Sequence, residues 1–123
     1  MTGSRLISSA KKTAALAGLR EKYDRLRQSL ARTGPISAGS VLQRSAATSG
    51  RSGLQWTRKV AGKTVTVALS RPQFAALQAA VANERNLWKT IKEMEKISRQ
   101  IIFGTVPDTH RRKPLSKKAL GLI

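Results

Sequence analysis

The sequence contains no cysteine, one histidine and few acidic side chains. The absence of cysteine excludes disulfide bonds, thiolate metal sites and cysteine nucleophiles, and a lone histidine forms no metal cluster. Aromatic residues make up 4% of the chain, too few for a stacking surface of several rings. No apolar run approaches the roughly 18 residues that suggest a membrane span. We therefore expect a soluble, cytoplasmic protein with no membrane partner, metal or cofactor.

Positive charge is what the chain has in excess. Its 24 Lys and Arg residues outnumber 6 Asp and Glu residues, which gives a formal net charge of +18 over 123 residues. The excess is spread along the chain, and residues 35–70 carry five basic side chains and no acidic one. A surface of this kind attracts polyanions, so the charge favours nucleic acid as the partner.

The first predicted helix begins between Ser4 and Ser9 and is stopped by Gly34, in the left-handed C-terminal position, and Pro35. Its apolar residues recur at spacings of three and four, which places them in one stripe. The stripe consists of Leu16, Leu19, Tyr23, Leu26 and Leu30.

The second predicted helix begins at an S-x-x-Q capping box formed by Ser70 and Gln73, and it ends near Gly104. A helix of about 30 residues is about 45 Å long and overhangs a small domain unless another helix lies along it. The sequence therefore predicts antiparallel, coiled-coil-like packing of the two helices, within one chain or across a homodimer. Apolar residues of the second helix also recur at spacings of three and four, in a second stripe that includes Leu87, Ile91 and Met94. The two stripes supply the candidate partner interface: Leu16, Leu19, Tyr23, Leu26, Leu30, Leu87, Ile91 and Met94.

Between the helices, alternating residues over 54–69 predict a β-hairpin with one apolar face and one threonine-rich face. A type II′ turn at Gly62 and Lys63 would pair Val60 with Val65. A turn shifted to Ala61 and Gly62 changes these partners but leaves each residue on its face. Because two strands alone are marginally stable, residues 40–44 are the expected third strand.

The predicted fold is therefore α+β and mostly helical, with two long antiparallel helices flanking a β-hairpin or three-stranded antiparallel sheet. Residues 1–106 form one domain in this interpretation. Residues 44–53 are small, polar and basic, which indicates a mobile loop inside it. Residues 107–123 form a basic and largely disordered tail, because they have too little apolar area to order themselves.

The hairpin, the loop and the tail carry the candidate phosphate contacts. Counterion release supplies affinity without a specific pocket, and a two-stranded ribbon fits the major groove of DNA. The predicted nucleic-acid-binding residues are Arg44, Arg51, Arg58, Lys59, Lys63, Arg111, Arg112, Lys113, Lys117 and Lys118. Arg58 is the least secure of them, because it shares a strand face with Trp56 and Val60 and could flank the core.

No catalytic site is predicted. Gly62-Lys63-Thr64 has the ending of a phosphate-binding loop, but the required earlier glycine is Thr57 and the tripeptide lies in a hairpin. The carboxylates of the second helix each lie at helical spacing from Lys or Arg, which favours salt bridges over acid–base chemistry. Core packing is the preferred role for Trp56 and Trp88, ahead of base stacking.

The order of three motifs resembles a family of small, uncharacterised bacterial proteins encoded on or beside mobile genetic elements and sometimes labelled transposases. The similarity covers about residues 34–102. It is carried by G-P-x-x-x-G-S at Gly34, Pro35, Gly39 and Ser40, by the hairpin residues Trp56, Lys59, Gly62, Lys63 and Thr64, and by the helix residues Asn83, Glu84, Arg85, Leu87, Trp88 and Glu93. Many relatives carry a Cys-rich, His-containing stretch where this chain has its cysteine-free 44–53 loop. The resemblance implies a setting on mobile DNA and no particular activity.

Three functions remain open at this level. The first is a non-enzymatic, nucleoid-associated accessory protein of a mobile element that binds nucleic acid, with DNA preferred to RNA. The second is a helical interaction module that docks on a recombinase or a similar protein. The third is an RNA-binding or ribosome-associated basic protein.

Overall fold

A computed structural model describes residues 2–44, 53–107, 113 and 115–123. Along the chain, a helix is followed by three strands and a second helix: α1 (Thr2–Leu30), β1 (Ser40–Gln43), β2 (Leu54–Val60), β3 (Lys63–Ala68) and α2 (Arg71–Thr105). The three strands form one antiparallel sheet in the order β1-β2-β3. This architecture confirms the predicted α+β, mostly helical fold.

The chain divides into two compact units, where the sequence suggested one domain. Met1–Arg32 and Lys89–Ile123 form the first, which we call the helical unit. Thr33–Trp88 forms the second, the sheet unit. The first half of α2 therefore belongs to the sheet unit and its second half to the helical unit.

In the sheet unit, the strand register corrects the preferred hairpin turn. Val60 lies opposite Lys63, not Val65, and Arg58 lies opposite Val65. The two turn residues are Ala61 and Gly62, with φ angles of 50° and 79°. Positive φ at both central residues is the type I′ geometry, whose twist matches that of the flanking strands. The predicted faces are nevertheless correct, because the observed register differs from the preferred one by two residues, and side chains alternate between faces with a period of two.

Ala61 is a poor residue for this turn, and its replacement should stabilise the hairpin. A residue other than Gly, Asn or Asp in the left-handed region costs about 1 to 2 kcal/mol. We expect Ala61→Asn to raise the free energy of unfolding by about 0.5 to 1 kcal/mol, measured by urea denaturation. If the turn were at Gly62 and Lys63 instead, position 61 would lie in a strand, where asparagine is unfavourable, and the change would destabilise the protein.

The buried apolar residues of the sheet unit come from the open end of the hairpin and from α2. Leu54 and Leu69 are buried at that end, where the Leu69 N–H donates to the Leu54 carbonyl (2.8 Å). Ala80 and Val81 are the buried residues that α2 contributes. The predicted capping box sets the start of this helix: the Ser70 N–H donates to Gln73 Oε1 (2.9 Å), and the Gln73 N–H donates to Ser70 Oγ (3.3 Å).

In the helical unit, α1 and the second half of α2 pack antiparallel. Lys22 forms an ion pair with Glu93 (3.2 Å), and the Leu16 side chain lies 3.6 Å from where a Cβ of Gly104 would be. Of these two contacts, the one earlier in α1 is the one later in α2, as antiparallel packing requires. Ile97, 1% exposed, is the most deeply buried residue of this packing among the described residues. The coiled-coil-like pairing predicted from the stripes is formed within one chain.

The end of α1 differs from the prediction. The helix stops at Leu30, and the next N–H groups, of Ala31 and Arg32, bond to carbonyls three residues back. This tighter last turn satisfies carbonyls that would otherwise lack partners. Gly34 does not adopt positive φ, so it is not the left-handed cap that the sequence suggested.

The last residues of the chain form a capped turn, although composition suggested a largely disordered tail. Ser116 Oγ accepts from the Ala119 N–H (3.1 Å), as an N-cap does. At the other end, the Leu122 N–H donates to the Lys117 carbonyl and the Gly121 N–H to the Lys118 carbonyl. Gly121 has a φ of 70°, which completes a Schellman motif. Arg99 Nε donates to the Gly121 carbonyl (2.8 Å) and anchors the turn to α2.

Candidate nucleic-acid interface

The cations of the hairpin are divided between its two faces. Lys59 is exposed opposite Thr64, on the face that also carries Thr57 and Thr66. Lys63, opposite Val60 beside the turn, belongs to the other face. That second face is only partly covered: Val60, Val65 and Val67 are 37 to 43% exposed. The hairpin therefore offers cations on both sides, as a ribbon lying between two phosphate strands would require.

Arg58 belongs to the partly apolar face of the hairpin. Its guanidinium lies 4.5 Å from the centre of the Trp56 ring, and the side chain is half-buried. This cation–π contact holds the charge beside the aromatic ring and restricts its reach. Arg58 therefore lies on the strand face that the sequence predicted, beside Trp56, which makes it a weaker candidate for a phosphate contact than Lys59 or Lys63.

The other predicted contacts are separated in the structure. Arg44 is exposed and its N–H donates to the Gly53 carbonyl (2.8 Å), which extends the β1–β2 ladder. In the helical unit Lys113 is exposed, and Lys117 and Lys118 are exposed on the capped C-terminal turn. Arg51, Arg111, Arg112 and the loop residues 45–52 lie outside the described residues, so their predicted roles stay predictions.

The structure adds a basic surface that we did not predict. Lys89, Lys92, Lys96 and Arg99 follow one another along α2 at spacings of three and four, all within the helical unit. Such spacing puts them on one helix face about 15 Å long. We call this set the α2 basic face. The signal for this surface is present in the sequence as basic residues at spacings of three and four, but we predicted the contacts of this helix from its apolar residues.

Carboxylates neutralise few of the cations. Within the described part of the chain, the ion pairs are Lys22 with Glu93, Arg27 with Asp24, and Arg99 with Glu95. The Glu95–Arg99 pair was expected from helical spacing, whereas Glu93 binds Lys22 of α1 and not the expected Lys89. The three other members of the α2 basic face, Lys89, Lys92 and Lys96, have no carboxylate within ion-pair distance among these residues. They remain available to an external anion.

The predicted partner-interface residues largely serve packing inside the helical unit. Tyr23 and Leu30 of α1 line a cleft of about 210 Å³ with Ile91 and Met94 of α2. Leu16, Leu19 and Leu26 are half-buried on the same helix, and Leu87 is half-buried in the sheet unit. Docking of a second protein on these side chains stays a prediction, and such a partner would have to compete with α1–α2 contacts.

The two tryptophans have different environments. Trp56 is half-buried, and its indole N–H donates to the Ala38 carbonyl (3.0 Å), as suits a packing residue. Trp88 is 53% exposed, so core packing is the wrong role for it. Its indole N–H donates to Glu84 Oε1 (3.3 Å), one helical turn earlier. The ring borders an open groove of about 140 Å³ in the sheet unit.

Residues from sequence motifs that lie far apart in the chain are in contact within the sheet unit. Asn83 Nδ2 donates to the Pro35 carbonyl (2.9 Å) and lies 3.0 Å from where a Cβ of Gly34 would be. A Cβ on Gly39 would lie 2.6 Å from the indole nitrogen of Trp56. The Gly-Pro segment, the hairpin tryptophan and the α2 asparagine therefore form one connected structure.

Comparisons with protein-family models, with curated proteins and with solved structures find no match to this chain. Among the described helices, none has a stretch long and apolar enough to cross a membrane. The described residues also include no group of three or more His, Asp or Glu side chains that could hold a metal ion.

Proposed function

We propose that this chain is a non-enzymatic nucleic-acid-binding protein that contacts phosphates through its hairpin, its C-terminal segment and the α2 basic face. The observation that carries the proposal is the small number of ion pairs, three among the described residues, beside a formal charge of +18. Unpaired cations on an exposed surface gain most from replacing the counterions of a polyanion.

Duplex DNA is the preferred polymer in this proposal. A two-stranded ribbon is small enough for the major groove of B-form DNA, whereas the major groove of A-form RNA is too narrow for side chains to read. The family resemblance supports the same choice, because it implies a setting on mobile DNA. A DNA-binding role would also place the protein at the nucleoid.

Fluorescence anisotropy with duplex DNA, single-stranded DNA and duplex RNA, each across a salt series, tests the proposal. We expect duplex DNA to bind best and to remain bound at about 0.15 M salt. A preference for duplex RNA would favour the RNA-binding alternative. If all three complexes dissociate alike near that salt concentration, the charge is not selective, and the protein-interaction module becomes the leading interpretation.

The contribution of the hairpin to DNA affinity is tested by replacing its two exposed lysines with glutamine. For Lys59→Gln with Lys63→Gln we expect weaker duplex binding and a slope of log K against log salt that is shallower by about 2, one per lost phosphate contact. Lys11→Gln with Lys12→Gln, two exposed α1 positions, removes the same charge as a control. Equal losses in the two variants would show that total charge, and not the hairpin, determines affinity.

A protein partner is the second candidate function. Ile102, Phe103 and Val106, near the C-terminal end of α2, are 47 to 62% exposed. Exposed apolar side chains so close together are typical of contact surfaces. This surface is distinct from the predicted interface stripes, which pack within the helical unit.

A further inference from the structure

We propose that the groove beside Trp88 binds one unpaired nucleobase, with an amino-bearing base preferred. The proposal rests on the proposed nucleic-acid function and adds a base contact to it. The groove lies within the sheet unit, between residues 37–39 on one side and the α2 residues Val81, Glu84, Arg85 and Trp88 on the other.

The exposed ring of Trp88 is the first part of the argument. Tryptophan side chains are highly buried on average, whereas Trp88 leaves more than half of its surface in water. Packing in the core therefore does not explain why a tryptophan is at this position. Its hydrogen bond to Glu84 limits rotation of the ring. A restrained and exposed aromatic face beside a groove is what base stacking requires, and stacking accepts any base.

The wall opposite Trp88 is held in place before any ligand binds. The Ser37 N–H donates to the Ala80 carbonyl of α2 (3.2 Å), and Trp56 Nε1 donates to the Ala38 carbonyl. Gly39 completes the wall in a backbone conformation with a φ of 100°. Because both walls are fixed by hydrogen bonds, little conformational entropy is lost when a planar ring enters.

The charges at the groove indicate which part of a nucleotide faces which residue. Arg85 is exposed and has no carboxylate within ion-pair distance among the described residues, so it can bind a phosphate. Glu84 repels phosphate, but its carboxylate can accept from an exocyclic amino group, as Glu does from cytosine N4. A base on Trp88 with its phosphate towards Arg85 satisfies both residues, which a free phosphate would not.

Cytosine and thymine strands of equal length provide a matched pair of probes. The two bases have similar size, but cytosine offers an amino donor where thymine has a carbonyl acceptor. We expect oligodeoxycytidine to bind more tightly than oligothymidine and to quench the emission of Trp88. Glu84→Gln should reduce the difference between the two strands, because glutamine presents both a donor and an acceptor.

The decisive variant is Trp88→Ala. We expect it to lower the affinity for oligodeoxycytidine about tenfold, the loss typical of one stacked base, and to leave duplex affinity unchanged. Trp88→Phe should retain most of the affinity and lose the quenching. Phe103→Ala removes another exposed aromatic of α2, in the helical unit, and should change neither affinity.

The outcomes separate this inference from the proposed function. Duplex binding by the parent protein, with Trp88→Ala binding oligodeoxycytidine as tightly as the parent does, would overturn the base site and leave nucleic-acid binding intact. The base site is also overturned if the parent binds duplex DNA and no single strand. Failure of the parent to bind any of these polymers would overturn both.

Discussion

Replacing Lys89, Lys92 and Lys96 together with glutamine is expected to weaken duplex DNA binding about a hundredfold at about 0.15 M salt. Each lysine that contacts a phosphate releases nearly one counterion, so the slope of log K against log salt should become shallower by 2 to 3, about one unit for each lysine. Anisotropy titrations across a salt series measure both quantities.

Two features make this set a sharp test of the α2 basic face. Lys89, Lys92 and Lys96 form no ion pair with the described residues, so their loss should leave stability nearly unchanged, which thermal melting can verify. Arg99 is kept, because it anchors the C-terminal turn. A control with the same loss of charge on α1, at Lys11, Lys12 and Arg20, should weaken binding much less. Equal weakening would show that the α2 basic face has no particular role.

Gly39→Ala is expected to lower the free energy of unfolding by about 2 to 4 kcal/mol, because it combines backbone strain with steric overlap. The φ of 100° is unfavourable for alanine, and its Cβ would lie 2.5 Å from the Thr57 carbonyl oxygen. That oxygen belongs to the backbone of the central strand and cannot move without disturbing the sheet.

Gly62→Ala is the matched control for this prediction. Gly62 also has a positive φ, of 79°, but no atom outside its immediate neighbours lies within 4 Å of its added Cβ. It should therefore show only the strain of a left-handed residue, about 1 to 2 kcal/mol. Urea denaturation followed by circular dichroism compares the two variants. Equal losses would mean that the close approach of Gly39 to β2 contributes nothing.

The expected effect of Gly39→Ala extends to function. Residues 37–39 form one wall of the groove beside Trp88, and a displaced wall should weaken oligodeoxycytidine binding. Duplex affinity, which we assign to cations elsewhere on the chain, should fall much less under conditions where the variant remains folded. This pattern would connect the conformation of Gly39 with the proposed base site.

Local patterns in the sequence were sufficient for the two long helices and the hairpin, although not for the end of α1 or the C-terminal turn. The leucine stripe of α1, the Ser70 capping box and the alternation in the hairpin are each formed by residues that are close together in the sequence. Each of these patterns determines local geometry. The charge of +18 is likewise a property of composition. These features determined the helices, the strands and the faces of the hairpin.

Tertiary structure decided the properties that depend on residues distant in the chain. The turn at Ala61 and Gly62 followed from pairing between strands, because either turn would keep the same faces. Exposure of Trp88 could not be read from an apolar stripe, since a stripe shows which residues share a helix side but not how far a neighbour covers them. The C-terminal turn needed Arg99, 22 residues away, to anchor it. Local spacing therefore determined what each segment forms, and long-range packing determined which side chains remain exposed for a ligand.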